Sequence, residues 1–313
     1  MSSDSSLGQR KQSSGIIIAA CIFLAANCSG IAQAESGGYA RLVKSLRPIA
    51  YWRLGESHGE IARDSVGHHH GCYECGVRLG LDGAIDSDPD TAAGFDGVDD
   101  RVHVPHDKDF ELANGTVAFW FNATDPQRRG GLFSKDANGY GDGGHFTVVL
   151  ERCMVTVRLQ SKSKSYVLSA GGVKPSSWHH VSVTFGCDGL KLYLDGQLAG
   201  SDDFRGGLAA GPKERGNREP IAIGANTLAS KPGSIRPPSD FFAGRIDEVA
   251  IFCRALTCEE IQMLVVADLN GNLGLPPQAN SVLRTPRSGY RICWYSKTQE
   301  CENDRIRKER VRH

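Results

Sequence analysis

The densest group of side chains that could do chemistry lies between residues 68 and 75. It comprises His68, His69, His70, Cys72, Glu74 and Cys75. Because Zn²⁺ takes Cys and His ligands at such close spacing, a zinc site is one interpretation. The other, which we favour, is a loop that is merely rich in histidine, in an exported chain that oxidises its thiols. The Cys72-x-x-Cys75 pair lacks the strand-to-helix setting that activates a thiol, so we interpret it as structural.

Carboxylates at alternate positions suggest glycoside hydrolysis. Asp86, Asp88 and Asp90 alternate, but Pro89 interrupts the run, and a retaining glycosidase needs two carboxylates held about 5–5.5 Å apart. Nothing resembles the Gly-x-Ser-x-Gly turn of a serine hydrolase, although Ser-His-Asp triads also assemble from distant parts of a chain. We therefore expect a protein that is not an enzyme. A glycosidase with a non-standard carboxylate pair stays open as an alternative.

Sugar binding needs an aromatic face for stacking and planar side chains that form hydrogen bonds. Residues of these types occur on two predicted strands and in the loop that follows residue 134. The predicted ligand-binding set is Trp120, Asn122, Lys135, Asn138, Tyr140, Arg158 and Gln160. If Arg158 and Tyr140 are neighbours at a groove, glycan binding is favoured.

Short apolar or alternating runs, separated by Asx-Gly turns, indicate the elements that must position these residues. From Val155 to Leu159 every second residue is apolar, which predicts a strand with one packed and one solvated face. The predicted strands are Ala50–Leu54, Arg101–Val104, Thr116–Asn122, His145–Leu150, Met154–Gln160, Tyr166–Ala170, Trp178–Phe185, Leu190–Leu194, Ile221–Gly224 and Arg245–Phe252. One short C-terminal helix is predicted at Cys258–Val266, with Thr257 as its N-cap. The pattern indicates an all-β sandwich or jelly roll of two antiparallel sheets.

Composition narrows the class of protein. The chain has 313 residues, of which 40% are hydrophobic and 23% charged, as in a globular protein. Lys and Arg together number 36, as do Asp and Glu, so the chain lacks the basic excess of a dedicated nucleic-acid binder. A second long apolar run is absent from the sequence, which excludes a polytopic membrane protein.

The first 34 residues are typical of an export signal. Arg10 and Lys11 precede the apolar stretch 15–26, and the small residues of 32–34 suit a cleavage site. We expect a signal peptide at 1–34, no membrane span after its removal, and a mature protein that is secreted, periplasmic or on the cell surface. An uncleaved anchor and lipid attachment at Cys28 are the alternatives.

An even number of cysteines remains after cleavage at this site. They are Cys72, Cys75, Cys153, Cys187, Cys253, Cys258, Cys293 and Cys301. In an exported chain this favours disulfides, but eight cysteines allow 105 connectivities. The simplest prediction is local pairing, Cys253 with Cys258 and Cys293 with Cys301.

Changes in amino-acid composition and hydrophobic pattern divide the rest of the chain into segments. Residues 35–45 are predicted to be a mobile lead-in, and 46–267 a single β domain. Residues 268–313 are predicted to be a Gly/Pro-rich linker and a basic tail, which from Arg284 onward carries nine basic against four acidic residues. The tail is either a solvated extension or a weak anchor to an anionic surface.

Six stretches between residues 51 and 261 resemble the motifs of one known family and occur in the same order as in that family. They are 51–56, 62–71, 91–100, 116–121, the pair 177–183 and 192–196, and 242–252 followed by Ala255-Leu256-Thr257 and Glu260-Ile261. Together they resemble the laminin-G-like, concanavalin A-like jelly-roll family of secreted bacterial proteins, over about residues 46–267. The resemblance implies the fold rather than one function, because this sandwich hosts lectins, adhesion modules, glycosidases and spacers.

The resemblance also bears on the site residues. Related sandwiches often tie the first strand to the last through Ca²⁺, which prefers oxygen ligands, so Glu56, Asp64 and Asp247 are the predicted ligands of a structural calcium ion. The alternative is that they are ordinary surface carboxylates. The resemblance places Trp120 at a position suited to packing, and the strand motif Glu-x-Asp-x-x-Glu of glucanases is missing.

We therefore expect an exported, monomeric jelly-roll module that does not bind nucleic acid. Its predicted function is non-catalytic recognition of an extracellular glycan or protein. The alternatives are a glycoside hydrolase and a structural spacer on the cell surface.

Overall fold

A computed structural model describes residues 38–139, 141, 143–209 and 217–270, with side chains as far as residue 267. The helices are α1 (Gly38–Ser45) and α2 (Cys258–Asn270). The strands are β1 (Ala50–Trp52), β2 (Ile61–Ala62), β3 (Gly71–Glu74), β4 (Arg78–Asp82), β5 (Thr91–Asp96), β6 (Arg101–Val104), β7 (Gly115–Ala123), β8 (Gly130–Lys135), β9 (Phe146–Glu151), β10 (Met154–Gln160), β11 (Ser165–Gly171), β12 (Trp178–Phe185), β13 (Leu190–Leu194), β14 (Gln197–Asp202), β15 (Ile221–Ile223) and β16 (Ala243–Phe252). The predicted signal peptide, Tyr140 and the tail from residue 271 onward lie outside the described residues.

The strands form two antiparallel sheets of eight strands each. The first sheet has the order β14-β13-β12-β7-β16-β5-β4, with β1 paired to β16, and the second has the order β11-β10-β9-β8-β15-β6-β3-β2. Neighbours in these orders are often distant in the sequence, as expected for a jelly roll. The predicted all-β fold of two antiparallel sheets is confirmed.

The main core lies between the sheets. Val155, Val157 and Leu159 are buried in it, while the intervening Thr156 and Arg158 are partly exposed on the outer face of the second sheet. Aromatic rings from both sheets meet in the core, as where Phe133 stacks on Phe119. The period-two pattern in the sequence thus correctly separated inward from outward residues.

A second apolar cluster covers the outer face of the first sheet. Residues of α1 and α2 pack there on Tyr51 and Trp120, and Trp120 donates a hydrogen bond from Nε1 to Tyr39 Oη (2.9 Å). The segment predicted to be a mobile lead-in therefore forms a packed helix, and that prediction is wrong. Its apolar residues recur at 39, 42, 43 and 46, the spacing of one helical face.

The predicted C-terminal helix is confirmed and runs to residue 270. Thr257 Oγ1 accepts from the amide of Glu260 (3.2 Å), and Glu260 Oε2 accepts from the amide of Thr257 (2.8 Å). This reciprocal capping box satisfies two amides that the first helical turn leaves unpaired.

Six strands were not predicted from the sequence: β2, β3, β4, β5, β8 and β14. They are short or rich in glycine, and β8 is buried along its whole length. A strand buried on both faces shows no alternation, so only its neighbours in the sheet reveal it.

Candidate functional site

The predicted ligand-binding residues lie in separate places. Trp120 is buried beneath α1. Lys135 is fully buried and donates from Nζ to the carbonyls of Asn217 (2.8 Å) and Glu219. Neither side chain is available to a ligand on the surface, and Tyr140 lies outside the described residues.

Arg158 and Gln160 lie on the outer face of the second sheet and belong to one polar network. Arg158 donates to Gln160 Oε1 (2.7 Å) and to Asp136 Oδ2, and Asp136 Oδ1 lies 3.0 Å from His145 Nδ1. Gln160 Nε2 donates to the carbonyl of Gly139 in the adjoining loop (3.4 Å), next to the exposed Asn138. The polar groups of these residues largely satisfy one another.

Asn122 lies in an open cleft of about 390 Å³ on the outer face of the first sheet, which we call the Asn122 cleft. Its lining residues are Arg78, Gly80, Leu81, Asp82, Phe95, Asn122, Thr124, Ser176, Gly244 and Arg245. Arg245 donates to the carbonyl of Asp82 (2.9 Å) and lies over the ring of the partly exposed Trp178, 5.1 Å from its centroid. Two guanidinium groups, an amide, two hydroxyls and a carboxylate therefore surround one opening beside an indole.

A second cleft, which we call the Arg101 cleft, has a volume of about 610 Å³. Its lining residues are Cys75, Arg101, Lys231, Ser234, Arg236, Pro237 and Pro238. Arg101 is buried and pairs with Glu74 (2.5 Å), and its Nε has no hydrogen-bond partner among the described residues. This cleft presents cationic and apolar groups and, of the described residues, no carboxylate.

A cluster of charged residues joins the first strand to the last. In this Arg53 cluster, Arg53 forms ion pairs with Asp88 (2.8 Å), Asp90 (2.8 Å) and Glu248 (3.1 Å), and Asp247 lies beside them. The pairing of β16 with β7 shifts register between Asp247 and Ala250, and Glu248 has a left-handed φ of 55°. Such a bulge lets two consecutive side chains reach one cluster.

Burial without full charge compensation raises the pKa of Glu248 and of Asp247 in this cluster. Burial raises the pKa of Glu248 to about 7, although Arg53 and Tyr51, which donates to Glu248, act in the opposite direction. Burial, and then the neighbouring Glu248, raises the pKa of Asp247 well above its usual range. The Oδ1 atom of Asp247 has no hydrogen-bond partner among the described residues. Arg53 is therefore the cation on which the cluster depends.

The three predicted calcium ligands do not converge on one point as a set. Glu56 accepts from Tyr73 Oη (2.6 Å) and from the amide of Arg63. Asp64 accepts from three backbone amides, those of Tyr51, Val66 and His69. Of the three, only Asp247 has a buried carboxylate oxygen without a hydrogen-bond partner among the described residues. The carboxylates near Asp247 already pair with Arg53. Calcium binding stays a prediction.

Cys253 and Cys258 carry free thiols, as do Cys72 and Cys75, so the structure does not show the predicted Cys253–Cys258 pairing. Cys293 and Cys301 lie outside the described residues. Within the described part of the chain, no helix has the length and apolar character needed to cross a bilayer.

The family model for the concanavalin A-like lectin/glucanases superfamily, of the laminin-G type, matches residues 96–262. The chain belongs to this superfamily. The matched region begins at Asp96, the last residue of β5, and ends within α2. It includes five of the ten residues that line the Asn122 cleft. The resemblance seen in the sequence is confirmed.

Solved structures share the fold at low sequence identity. The receptor-binding domain of a botulinum neurotoxin C/D mosaic serotype superposes with a TM-score of 0.51 and 15% identity, covering 71% of this chain and 52% of that one. The ligand-binding domain of botulinum neurotoxin serotype D, solved with N-acetylneuraminic acid, gives 0.52 and 15%, covering 73% and 53%. A Trypanosoma rangeli sialidase gives 0.51 and 15%, covering 71% and 33%.

The chain spans about half the length of these toxin domains and a third of the sialidase. At such identities the likeness shows the fold alone. No curated protein sequence matches the chain.

Proposed function

We propose that this chain is an exported, monomeric, non-catalytic module that recognises an extracellular glycan through the Asn122 cleft. The proposal rests on the predicted ligand residue Asn122, which lines an open cleft of about 390 Å³ together with Arg78, Arg245, Thr124 and Ser176. That volume lies in the range of about 300–1,000 Å³ usual for small-ligand sites.

The chemistry of the cleft suits sugar hydroxyl groups. An amide and hydroxyl groups both donate and accept hydrogen bonds, and guanidinium groups donate them in a fixed plane. An indole offers an apolar face to the ring of a sugar. Trp178 on β12, which pairs with Asn122 on β7, would supply that ring, and Arg245 of the cleft lies over it. The Arg101 cleft is larger, but its lining offers only Ser234 as an uncharged hydroxyl group.

The arrangement of carboxylates favours binding over hydrolysis. A glycosidase needs two carboxylates facing a cleft. Of the described residues, Asp82 is the one carboxylate that lines the Asn122 cleft. The carboxylates that do come together are those of the Arg53 cluster, where Asp88, Asp247 and Glu248 are buried and three of the four acids are paired with Arg53.

A glycan array probed with the tag-free chain, followed by calorimetry on the best glycan, tests the site. We expect Arg78→Ala and Arg245→Ala each to weaken binding at least about tenfold, because a hydrogen bond to a charged group contributes about 1.5–3 kcal/mol and about 1.4 kcal/mol corresponds to tenfold. The melting temperature of each variant shows whether the fold is intact.

Lys231→Ala and Arg236→Ala, in the Arg101 cleft, are the matched controls and should bind like the wild type. A blank array would reject glycan recognition and leave protein recognition and the spacer function. Weaker binding in the control variants alone would move the site to the Arg101 cleft, and release of reducing sugar by the wild type would contradict the non-catalytic assignment.

A further inference from the structure

Three residues that line neither cleft, His68, His69 and Asp109, have the arrangement of a metal site. The ligand atoms of His68, His69 and Asp109 all lie within 4.8 Å of one another. His69 Nε2 is 3.4 Å from Asp109 Oδ2. Two ligands of a tetrahedral Zn²⁺, each about 2.0–2.2 Å from the metal, are about 3.4 Å apart. This pair of atoms is therefore spaced as one edge of a zinc coordination tetrahedron.

The backbone on both sides of His69 is held in place. Its amide donates to Asp64 Oδ2 (3.1 Å), and its carbonyl accepts from Trp52 Nε1 (2.7 Å). The buried imidazole lies against the ring of Phe110, with centroids 4.7 Å apart. Asp64, which the sequence analysis predicts as a calcium ligand, thus holds the backbone of this histidine.

Asp109 reaches His69 through a local turn. It lies in the single 3₁₀ turn Lys108–Phe110, whose cap Asp107 accepts from the amide of Asp109 (2.9 Å). Phe110, next in the chain, is the residue that packs on His69. The contact that buries Phe110 therefore also brings the carboxylate to the imidazole.

His68 completes the group from an exposed position. Its ring centroid lies 4.5 Å from that of His69, and the residue is exposed. An exposed side chain can close the remaining distance at little energetic cost, whereas a buried ligand must already be in place, as His69 is.

We propose that His68, His69 and Asp109 bind one zinc ion, with water in the fourth position. Two imidazoles and one carboxylate are a ligand set that Zn²⁺ accepts, and three protein ligands leave one position open. The site is independent of the proposed glycan function, since none of its residues lines the Asn122 cleft. It differs from the zinc site considered in the sequence analysis, because Asp109 replaces Cys72 and Cys75.

Calorimetric titration of the full, tag-free chain with ZnCl₂ tests the site. We expect one zinc ion per chain and a higher melting temperature with zinc, because a ligand that binds only the folded state stabilises it. His68→Gln and Asp109→Asn should each weaken binding at least about tenfold, since even the loss of an outer-shell partner costs roughly 10- to 100-fold. Both residues are exposed, so neither substitution should unfold the protein.

His58→Gln is the matched control, because His58 is an exposed histidine that contacts Ser57 and lies outside the group. It should bind zinc like the wild type. Absence of zinc binding by the wild type would overturn the proposal, as would unchanged binding in both His68→Gln and Asp109→Asn. Binding that is lost only in Cys72→Ser/Cys75→Ser would also overturn it and assign the metal to the cysteines.

Discussion

Replacing Arg53 by glutamine should destabilise the protein by about 3–5 kcal/mol at pH 7, the usual cost of removing one partner from a buried ion pair. The guanidinium group pairs with three carboxylates, of which those of Asp88 and Glu248 are almost fully buried. Glutamine retains hydrogen-bonding capacity but leaves the carboxylates without a cation in a poorly solvated place. Urea unfolding, followed by fluorescence, measures the loss.

The effect of Arg53→Gln should shrink as the pH falls. Arg53 lowers the pKa of Glu248 and of Asp90 relative to what burial alone would give, so these pKa values rise further in the variant. The folded variant then binds more protons than its unfolded chain, and its stability decreases as the pH rises above about 4.5. The difference from the wild type should therefore be smaller at pH 5 than at pH 7.

Arg129→Gln is the control for this experiment. Arg129 also pairs with two carboxylates, Asp240 (2.8 Å) and Glu151 (2.9 Å), but its side chain is 41% exposed. Exposed pairs contribute about 0–1 kcal/mol, so this variant should unfold close to the wild-type urea midpoint. If Arg53→Gln fails to fold, the double variant Arg53→Gln/Glu248→Gln should recover stability, because it removes one of the uncompensated charges.

An unchanged urea midpoint in Arg53→Gln would contradict the assignment of Arg53 as the cation of the cluster. Because Asp247 was predicted to bind calcium, the same measurement is informative with added Ca²⁺ and with a chelator. Equal stability in both, for the wild type, would remove the calcium prediction.

The second large effect concerns Lys135, whose replacement by methionine should abolish a steep pH dependence of stability. Burial lowers the pKa of Lys135 to about 7, although the nearby Glu219 and Glu111 act in the opposite direction. The unfolded chain keeps this proton up to about pH 10.4. Between pH 7 and 10 the unfolded state therefore binds more protons, and stability rises with pH, by about 3–4 kcal/mol in total.

Lys135→Met should be nearly flat over the same range, because methionine fills a similar volume without a charge. It leaves the carbonyls of Asn217 and Glu219 without their donor, so the variant should be less stable than the wild type at pH 10. Other groups that titrate between pH 7 and 10 are common to both proteins, and the difference between them isolates Lys135.

Lys174→Met, at an exposed position, is the control and should keep the wild-type slope. Equal slopes in the wild type and in Lys135→Met would show that Lys135 stays charged in the folded protein. Unfolding free energies at pH 7, 8, 9 and 10 are sufficient for the comparison.

Local sequence patterns predicted the fold well where the structure depends only on residues that are close in the chain. The capping residue Thr257 and the alternation in β10 depend only on neighbours in the chain, and both were confirmed. The α1 helix was missed because its apolar stripe becomes stable only against Trp120 on a distant strand. Short isolated helices are marginal in water.

In the candidate sites, too, local sequence patterns predicted single residues but not the contacts between distant ones. Asn122 was predicted from residue type, but Arg78 and Ser176 reach its cleft from other strands and loops. Asp109 lies 40 residues after His69 in the sequence, and no motif links the two. In β16 the bulge turns Asp247 and Glu248 to one cluster, where strict alternation would have put them on opposite faces.

The amino-acid sequence by itself determined that the chain is a β sandwich, which residues of most strands face inward, and which superfamily it belongs to. The first two follow from side-chain periodicity and turn chemistry, and the third from six short motifs that resemble those of the superfamily. All of these are encoded within a few residues. Only the tertiary structure decided which polar groups meet, that Arg53 neutralises the buried acids, and that Lys135 is inaccessible. Such contacts join strands that are adjacent in a sheet but distant in the chain, and their energies depend on burial that no local pattern specifies.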